Sequence, residues 1–442
     1  MSLTPPESVQ KLQAALQDKA KRAPDYRFYC LYDKVYRKDV LTHAYLCCLV
    51  NQGAAGVDGQ TFADIAAYGM ERWLDELAEE LRKKTYRPAA VRRVHIPKAD
   101  GKLRPLGIPT VKDRVVQMAA LVVLEPIFEP TLQPEQYAYR QGRSALDAIA
   151  HVQKLLDSGH REVVDADLSG YFDSIPHGEL MKSVARRVSD GQVLALIKRW
   201  LEAPVEEIDE RGHKQRTTRN RDAKRGTPQG GVLSPLLANL YMRRFVLGWK
   251  VQGHEQRLDA HIVNYADDFV ICCRGRADEA MAAMRILMSK LGLTVNETKT
   301  RRCRVPEETF DFLGYTFGRN YSYRTGRSYV GPRPSAKKIQ ALSASIRTLT
   351  GRRWTWLEPE ELVGRLNCRL VGWANYFCLG NVNRAYQRVM AHTCLRLRQW
   401  LGRKHRVQRT SRSRFTFTYL RQDLGLVWLP ERPRRRSLWA NS

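Results

Sequence analysis

Ile262-Val263-Asn264-Tyr265-Ala266-Asp267-Asp268-Phe269-Val270-Ile271-Cys272-Cys273 is the stretch that decides the fold. Apolar runs at Ile262-Val263 and Phe269 to Cys273 flank a tight acidic turn, the pattern of a hairpin with two carboxylates at its tip. Adjacent aspartates repel, and taken alone the pair reads as an exposed acidic turn. A divalent cation removes the objection, because Mg²⁺ takes hard oxygen ligands and binds through one or two carboxylates together with substrate phosphates.

Upstream, Glu162-Val163-Val164-Asp165-Ala166-Asp167 is another β-rich run that ends in an aspartate and a turn from Leu168 to Asp173. It can bring a third carboxylate to the hairpin tip. Three carboxylates can hold two Mg²⁺ ions about 3.5–4 Å apart, the arrangement used for in-line phosphoryl transfer.

The motifs DADLSGYFDSIPH (165–177), GTPQGGVLSPLLANLYM (226–242), YADDFVI (265–271), GLTVNETKT (292–300) and FDFLGYTF (310–317) follow in that order. They resemble the successive palm motifs of reverse transcriptases, and their wording is closest to the group II intron-encoded reverse transcriptase/maturase family. GVDG at 56–59 and GWANYF at 372–377 extend the resemblance over residues from about 50 to about 380.

The resemblance implies an α+β right-hand polymerase, with fingers and palm built from β-sheet and helices and an α-helical thumb/maturase domain. The expected division is a helical extension at 1–50, fingers at 51–150, palm at 151–318, thumb/maturase domain at 319–402 and a basic tail at 403–442. The implied activity is RNA-directed DNA polymerisation, with a maturase role in splicing and retrohoming. The implied partners are structured intron RNA, an RNA template with a DNA primer, dNTPs and target DNA. Asp167, Asp267, Asp268 and the Leu168 carbonyl are the implied ligands of two Mg²⁺ ions. Phe172 is the implied gate against a ribose 2′-hydroxyl, and Gln229 lies near the sugar or template base. Lys299 is the candidate proton donor to the leaving pyrophosphate; an ion pair near the carboxylates is the competing reading. A related non-intron enzyme of a defence or diversification system, and an RNA-binding splicing cofactor without polymerase activity, are the alternatives. GWANYF argues against the first and the intact aspartate set against the second.

Other stretches fit this frame. Residues 91–109 read as a basic hairpin turning at Asp100-Gly101; the resemblance gives Lys98 and Arg104 to the incoming triphosphate. Arg engages phosphate bidentately and Lys as a point charge. Family members often read Tyr-Gly-Phe-Arg-Pro where this chain has Tyr137-Ala138-Tyr139-Arg140-Gln141. Arg140 is retained and is expected to contact the template. Apolar periodicity predicts helices over 71–84, 113–128, 191–202, 232–241 and 278–291. Residues 204–225 read as an exposed charged hairpin, 310–317 as one strand, and 321–334 as a linker or β-turn element. Helices are expected at about 335–350, 358–378 and 382–402, with Trp373 and Phe377 in the core. Residues 1–50 suit either a packed helical extension or an RNA-contacting arm.

The 442 residues carry 74 Lys+Arg against 46 Asp+Glu, a net charge of +28. Such an excess points to a polyanionic partner. Residues 320–442 hold 25 of the basic and 5 of the acidic residues, which makes this quarter the expected nucleic-acid surface. Arg403, Lys404, Arg406 and Arg409 open its tail. No Cys/His-rich endonuclease is expected beyond them. Nine cysteines with no CxxC pair fit a reducing interior. No secretory or membrane-spanning run is seen, so no membrane partner is expected. The expected location is the cytoplasm of a bacterium, associated with the nucleoid through RNA and DNA.

Overall fold

The computed structural model describes residues 3–97, 103–208, 213–322, 325–407 and 414–432. The strands of these segments are β1 (Val91–Pro97), β2 (Leu103–Ile108), β3 (Glu162–Asp167), β4 (Val205–Ile208), β5 (Lys214–Thr217), β6 (Ala260–Tyr265), β7 (Asp268–Cys273), β8 (Arg301–Arg304), β9 (Phe310–Phe312), β10 (Tyr315–Tyr321) and β11 (Ser328–Pro334). They form three sheets ordered β2-β1-β4-β5, β6-β7-β3-β8 and β11-β10-β9.

The second sheet is antiparallel throughout. Its central strands β3 and β7 carry apolar side chains on both faces, as a strand covered on two sides requires. Val164, Ala166, Phe269, Ile271 and Cys273 enter the large core that runs from Val9 to Leu293. Val163, Val263, Val270 and Cys272 face a different cluster, shared with the 145–157 helix and the third sheet.

Helices form where capping and apolar spacing agree. Trp73, Leu74, Leu77 and Leu81 form the buried stripe of Met70–Arg82. Ser144 and Asp147 make a capping box at the start of Ala145–Asp157. Asp190 caps Gly191–Leu201 and also accepts from the Leu31 and Tyr32 amides at 2.8 Å. That bond, with Val9, Leu16, Phe28 and Leu31 buried in the main core, packs the described residues 3–50 onto the rest of the chain.

Three expectations are corrected. Residues 310–317 are not one strand, because Leu313 (φ 50) and Gly314 (φ 82) reverse the chain and Tyr315 pairs back on Phe312. Two consecutive left-handed residues suit a two-residue hairpin turn, whose twist matches that of the strands. Residues 321–334 are not a simple linker, since β11 pairs along the whole of β10 from Tyr321↔Ser328 to Tyr315↔Pro334. Pro332 and Pro334 are tolerated there because β11 is an edge strand. Residues 414–432 are not a free basic tail, for Phe415, Leu420, Leu424, Leu426 and Leu429 are buried in the carboxy-terminal core. That core otherwise belongs to helices Ala336–Leu349, Pro359–Tyr376 and Asn383–Lys404, which match the expected trio.

The 226–231 loop joins the first sheet to the segment that follows β3, with Thr227 N donating to Phe172 O at 2.7 Å. Gly107 N donates to Gln229 O at 2.5 Å, and a Cβ on Gly230 would lie 2.2 Å from Gly107 O. Gly230 also has φ 110. Only glycine accepts both conditions. The close approach permitted by this glycine is to β2. Gly230→Ala is expected to lower unfolding stability by about 2 kcal/mol or more, measured by denaturant titration against Gly178→Ala as a control, where an added Cβ would meet nothing within 4 Å.

Candidate active site at the tip of the second sheet

Side chains alternate along a strand, so Val163, Asp165 and Asp167 share one face of β3. On the same face of the sheet, β7 presents Asp268, Val270 and Cys272. Register places Asp167 directly opposite Asp268. The face is therefore apolar at one end and acidic at the other. Asp267 occupies the turn between β6 and β7 together with Ala266, whose φ is 60. A non-glycine residue in this region is held by its surroundings. Here the buried Asn264 donates from Nδ2 to Ala266 O at 2.8 Å, and its own backbone bonds to Glu135 and Tyr137.

The acidic end is held by a cage of donors. Asn296 Nδ2 donates to Asp167 Oδ2 at 3.0 Å, and Lys299 Nζ donates to the same oxygen at 2.9 Å. The Asp167 carbonyl accepts from the Asn296 amide at 2.8 Å. Arg301 Nε lies 3.5 Å from Asp165 Oδ2. Burial pushes the Asp165 carboxyl up to about 6. Burial, and then the charges of Asp165, Asp267 and Asp167, push Asp268 up to about 7, opposed by a hydrogen bond from the Leu313 backbone. Leu313 is held in turn, because Tyr376 Oη donates to its carbonyl at 2.8 Å. The GWANYF segment thereby touches the turn that touches Asp268.

The donor set is all oxygen, and its mutual repulsion is what a divalent cation would relieve. These residues fit Mg²⁺ on the chemistry of hard ligands. A second group of potential ligands, His160, Asp259 and His261, has its ligand atoms within 4.8 Å of one another. It sits at the opposite end of β6, about 20 Å away at strand rise. There His160 Nε2 lies 2.9 Å from Asp259 Oδ1 and holds that carboxyl below its ordinary range. The pair braces the starts of β3 and β6.

The sequence-predicted residues divide as follows. Asp167, Asp267, Asp268, Leu168 and Lys299 come together at the tip, with Leu168 bridged to Val295. Phe172 is 8% exposed in the main core, and its carbonyl accepts from Thr227 N at 2.7 Å. Gln229 Nε2 donates to Asp173 Oδ2 at 3.1 Å, so Phe172 and Gln229 belong to neighbouring segments. Arg104 stands in β2 opposite Ile96; Lys98 and Arg409 lie outside the described residues. Arg140 is corrected. Its side chain is 6% exposed and pairs with Glu129 at 2.6 Å, while Nη1 donates to the Gln133 and Gln136 carbonyls. With its guanidinium spent inside the protein, it braces a loop and offers no face to a template. Lys404 is corrected likewise, donating to Leu357 O at 2.8 Å and pairing with Glu358. Arg403 and Arg406 are exposed. Sequence reasoning missed Asp165, Asn296 and Tyr376. The i, i+2 spacing of Asp165 and Asp167 was the available signal for the first; the others are brought in by tertiary packing.

A family model described as reverse transcriptase (RNA-dependent DNA polymerase) matches residues 96–317. One for the group II intron, maturase-specific domain matches residues 339–417. Protein YkfC of Escherichia coli is 33% identical over 378 residues, covering 77% of this chain and 96% of that protein. Group II intron-encoded protein LtrA of Lactococcus lactis is 34% identical over 233 residues, 52% of this chain and 37% of LtrA. Nuclear intron maturase 2, mitochondrial, of Arabidopsis thaliana is 33% identical over 115 residues, 26% of this chain and 16% of that protein.

The raised Asp268 carboxyl has a consequence for stability. A group whose folded pKa lies above its unfolded value stabilises fully below the unfolded pKa and loses that contribution as pH rises through the folded one. For Asp268 the window runs from 3.8 to about 7. With divalent cations chelated, the contribution of Asp268 to the melting temperature should be lost between pH 4 and pH 8, and it is read as the difference from a variant that cannot ionise there. Asp268→Asn, which mimics the protonated acid, should match wild type at pH 4 and melt several degrees higher at pH 8. Parallel melting curves for the two proteins across that range would remove Asp268 as the source.

Proposed function

The chain belongs to the reverse transcriptase (RNA-dependent DNA polymerase) family and carries the group II intron maturase-specific domain, and from this we propose that it copies an RNA template into DNA and assists the splicing of an intron RNA that it binds. The observation that carries the proposal is the pairing of Asp167 opposite Asp268, with Asp267 in the adjoining turn. In this reading the second sheet is the palm, the first sheet with its basic hairpin belongs to the fingers, and the three carboxy-terminal helices form the thumb.

Asp167, Asp267, Asp268 and the Leu168 carbonyl would hold two Mg²⁺ ions. Bound there, these supply Lewis acidity to the primer 3′-hydroxyl and charge neutralisation to the triphosphate. The protein contributes position and charge. Asn296 orients Asp167. Lys299, with a side chain 64% exposed, reaches from Asp167 toward solvent and is suited to protonate the leaving pyrophosphate. Lys98 and Arg104 grip the triphosphate, and Gln229 steadies the sugar or template base. Phe172 closes the space beneath the sugar. Arg403, Arg406 and Arg409 serve the RNA surface. The partners are intron RNA, an RNA template with a DNA primer, dNTPs and target DNA. No helix among the described residues is long and apolar enough to cross a membrane, and work on RNA and DNA suits a place beside the nucleoid of a bacterial cytoplasm.

Asp267→Asn combined with Asp268→Asn is expected to reduce primer extension on an RNA template at least 1,000-fold, roughly the scale of removing a metal's charge stabilisation. RNA binding should stay within a few-fold, since no cationic side chain is altered. Primer extension and filter binding read both together, and undiminished extension would move the active site elsewhere.

Phe172 generates a separate expectation. Phe172→Val should raise ribonucleotide incorporation relative to deoxyribonucleotide by roughly tenfold or more, the scale of a lost steric clash. The ratio of kcat/KM values for the two substrates reads it, and an unchanged ratio would make Phe172 a core residue alone.

A further inference from the structure

Among the described residues, Trp356 is the one tryptophan in the exposed class, at 67%. It stands in the short connection between helices Ala336–Leu349 and Pro359–Tyr376, within Gly351-Arg352-Arg353-Trp354-Thr355-Trp356. Its neighbour Trp354 is half-buried against the carboxy-terminal core, with Arg353 and Arg365 over its ring at 5.2 and 5.4 Å. The two indoles lie 6.2 Å apart at 40°. Trp354 thus anchors the turn, and Trp356 is left facing solvent.

Trp356 stands between charges of both signs, with Glu358 and Glu360 exposed on its carboxy-terminal side and arginines on the other. Arg352 and Arg353 are exposed beside it. The end of helix Asn383–Lys404 packs on the same segment. Arg396 donates to Thr350 Oγ1 at 3.1 Å and to Arg347 O at 3.4 Å, and Lys404 donates to Leu357 O at 2.8 Å. Burial, with the charges of Arg403 and Arg347, lowers the pKa of Arg396, so three guanidinium groups share this end of the bundle. Among the described residues beyond 320, the ion pairs are Arg365–Glu361, Lys404–Glu358 and Arg421–Glu431. None of them uses Arg347, Arg352, Arg353, Arg396 or Arg403. Glu358 and Glu361 are taken up by Lys404 and Arg365, so these arginines share no ion pair among the described residues, and like charges gathered in this way destabilise the fold unless an anion joins them.

A flat exposed ring beside arginines that make no ion pair suits a ligand that is planar and anionic at once. Unpaired nucleotides have both properties: bases stack on aromatic side chains while phosphates meet arginines. We propose that Trp356 is a stacking platform for an unpaired base of RNA, whose flanking phosphates lie on the cluster of Arg347, Arg352, Arg353 and Arg403, with Arg396 spent on Thr350, Gln399 and Arg347 as the brace beneath them. The proposal rests on the maturase reading above and deepens it, by placing one single-stranded RNA contact on the turn before the GWANYF helix.

The probe is a single-stranded RNA 12-mer carrying 5-iodouridine, mixed with the full chain while a short primer–template duplex saturates the catalytic cleft. Irradiation should crosslink the 12-mer to the peptide containing Trp356, and the same sequence annealed into duplex should give no such crosslink. Trp356→Ala should weaken 12-mer binding roughly 5- to 100-fold, the range for one base stacked on an aromatic ring. Trp356→Phe, which keeps a ring and tests the idea even if the alanine variant folds poorly, should bind within a few-fold of wild type. Binding by folded Trp356→Ala within twofold of wild type, or crosslinks that bypass this peptide, would overturn the platform. Equal crosslinking of a deoxy 12-mer would overturn its assignment to RNA. The crosslink needs no DNA synthesis and can be read in the Asp267→Asn, Asp268→Asn chain, so its outcome and that of primer extension are independent.

Discussion

Electrostatic repulsion at the end of one β-sheet is the constraint around which this protein is built. Asp167 and Asp268 occupy opposite positions on adjacent strands, with Asp165 and Asp267 close by. Two unit charges about 4 Å apart repel by roughly 4 kcal/mol at an effective dielectric of 20, a large share of the stability of a folded domain. Everything adjacent answers that repulsion. Lys299 and Asn296 converge on one oxygen of Asp167, Arg301 faces Asp165, and a backbone amide is turned toward Asp268. A fold that gathers carboxylates and supplies only part of the countercharge is prepared for a cation.

The hairpin and its acidic partner strand were legible because strand periodicity and register act locally. Once β3 pairs with β7, the alternation of side chains decides which residues share a face, and Asp165 could have been read from the same rule. The long apolar helices were legible for the same reason. The losses came where distant chain decides local structure. Residues 328–334 look like a linker, with their glycine and prolines, and become a strand because β10 has an open edge. Residues 414–432 look like part of a basic tail, yet their leucines and Phe415 close the helical core. Arg140 kept the motif's cation while its neighbours changed, and only tertiary structure reveals that Glu129 and two carbonyls consume it.

Charge and burial also separate two kinds of basic residue that look alike in sequence. Arg140, Arg187 and Lys404 donate to backbone carbonyls and hold segments together. Arg352, Arg353 and Arg403 stay exposed at one end of the carboxy-terminal bundle. The net charge of +28 is thus an upper bound on what a polyanion can use.

The hydrogen bond from Tyr376 to the Leu313 carbonyl bears on how such chains can be recombined. The two family matches end at residue 317 and begin at residue 339, which suggests a seam where one module could be exchanged for another. That seam cuts β10, whose residues run from Tyr315 to Tyr321, and strands β11 on the wrong side. It also separates Tyr376, and the Gly380 loop seated on Pro332, from the turn that steadies Asp268. A chimera joined there would inherit intact motifs on both sides and a mismatched joint beneath Asp268. The heritable unit crosses the gap between the matches: residues 310–334 and 376–381 have to travel together.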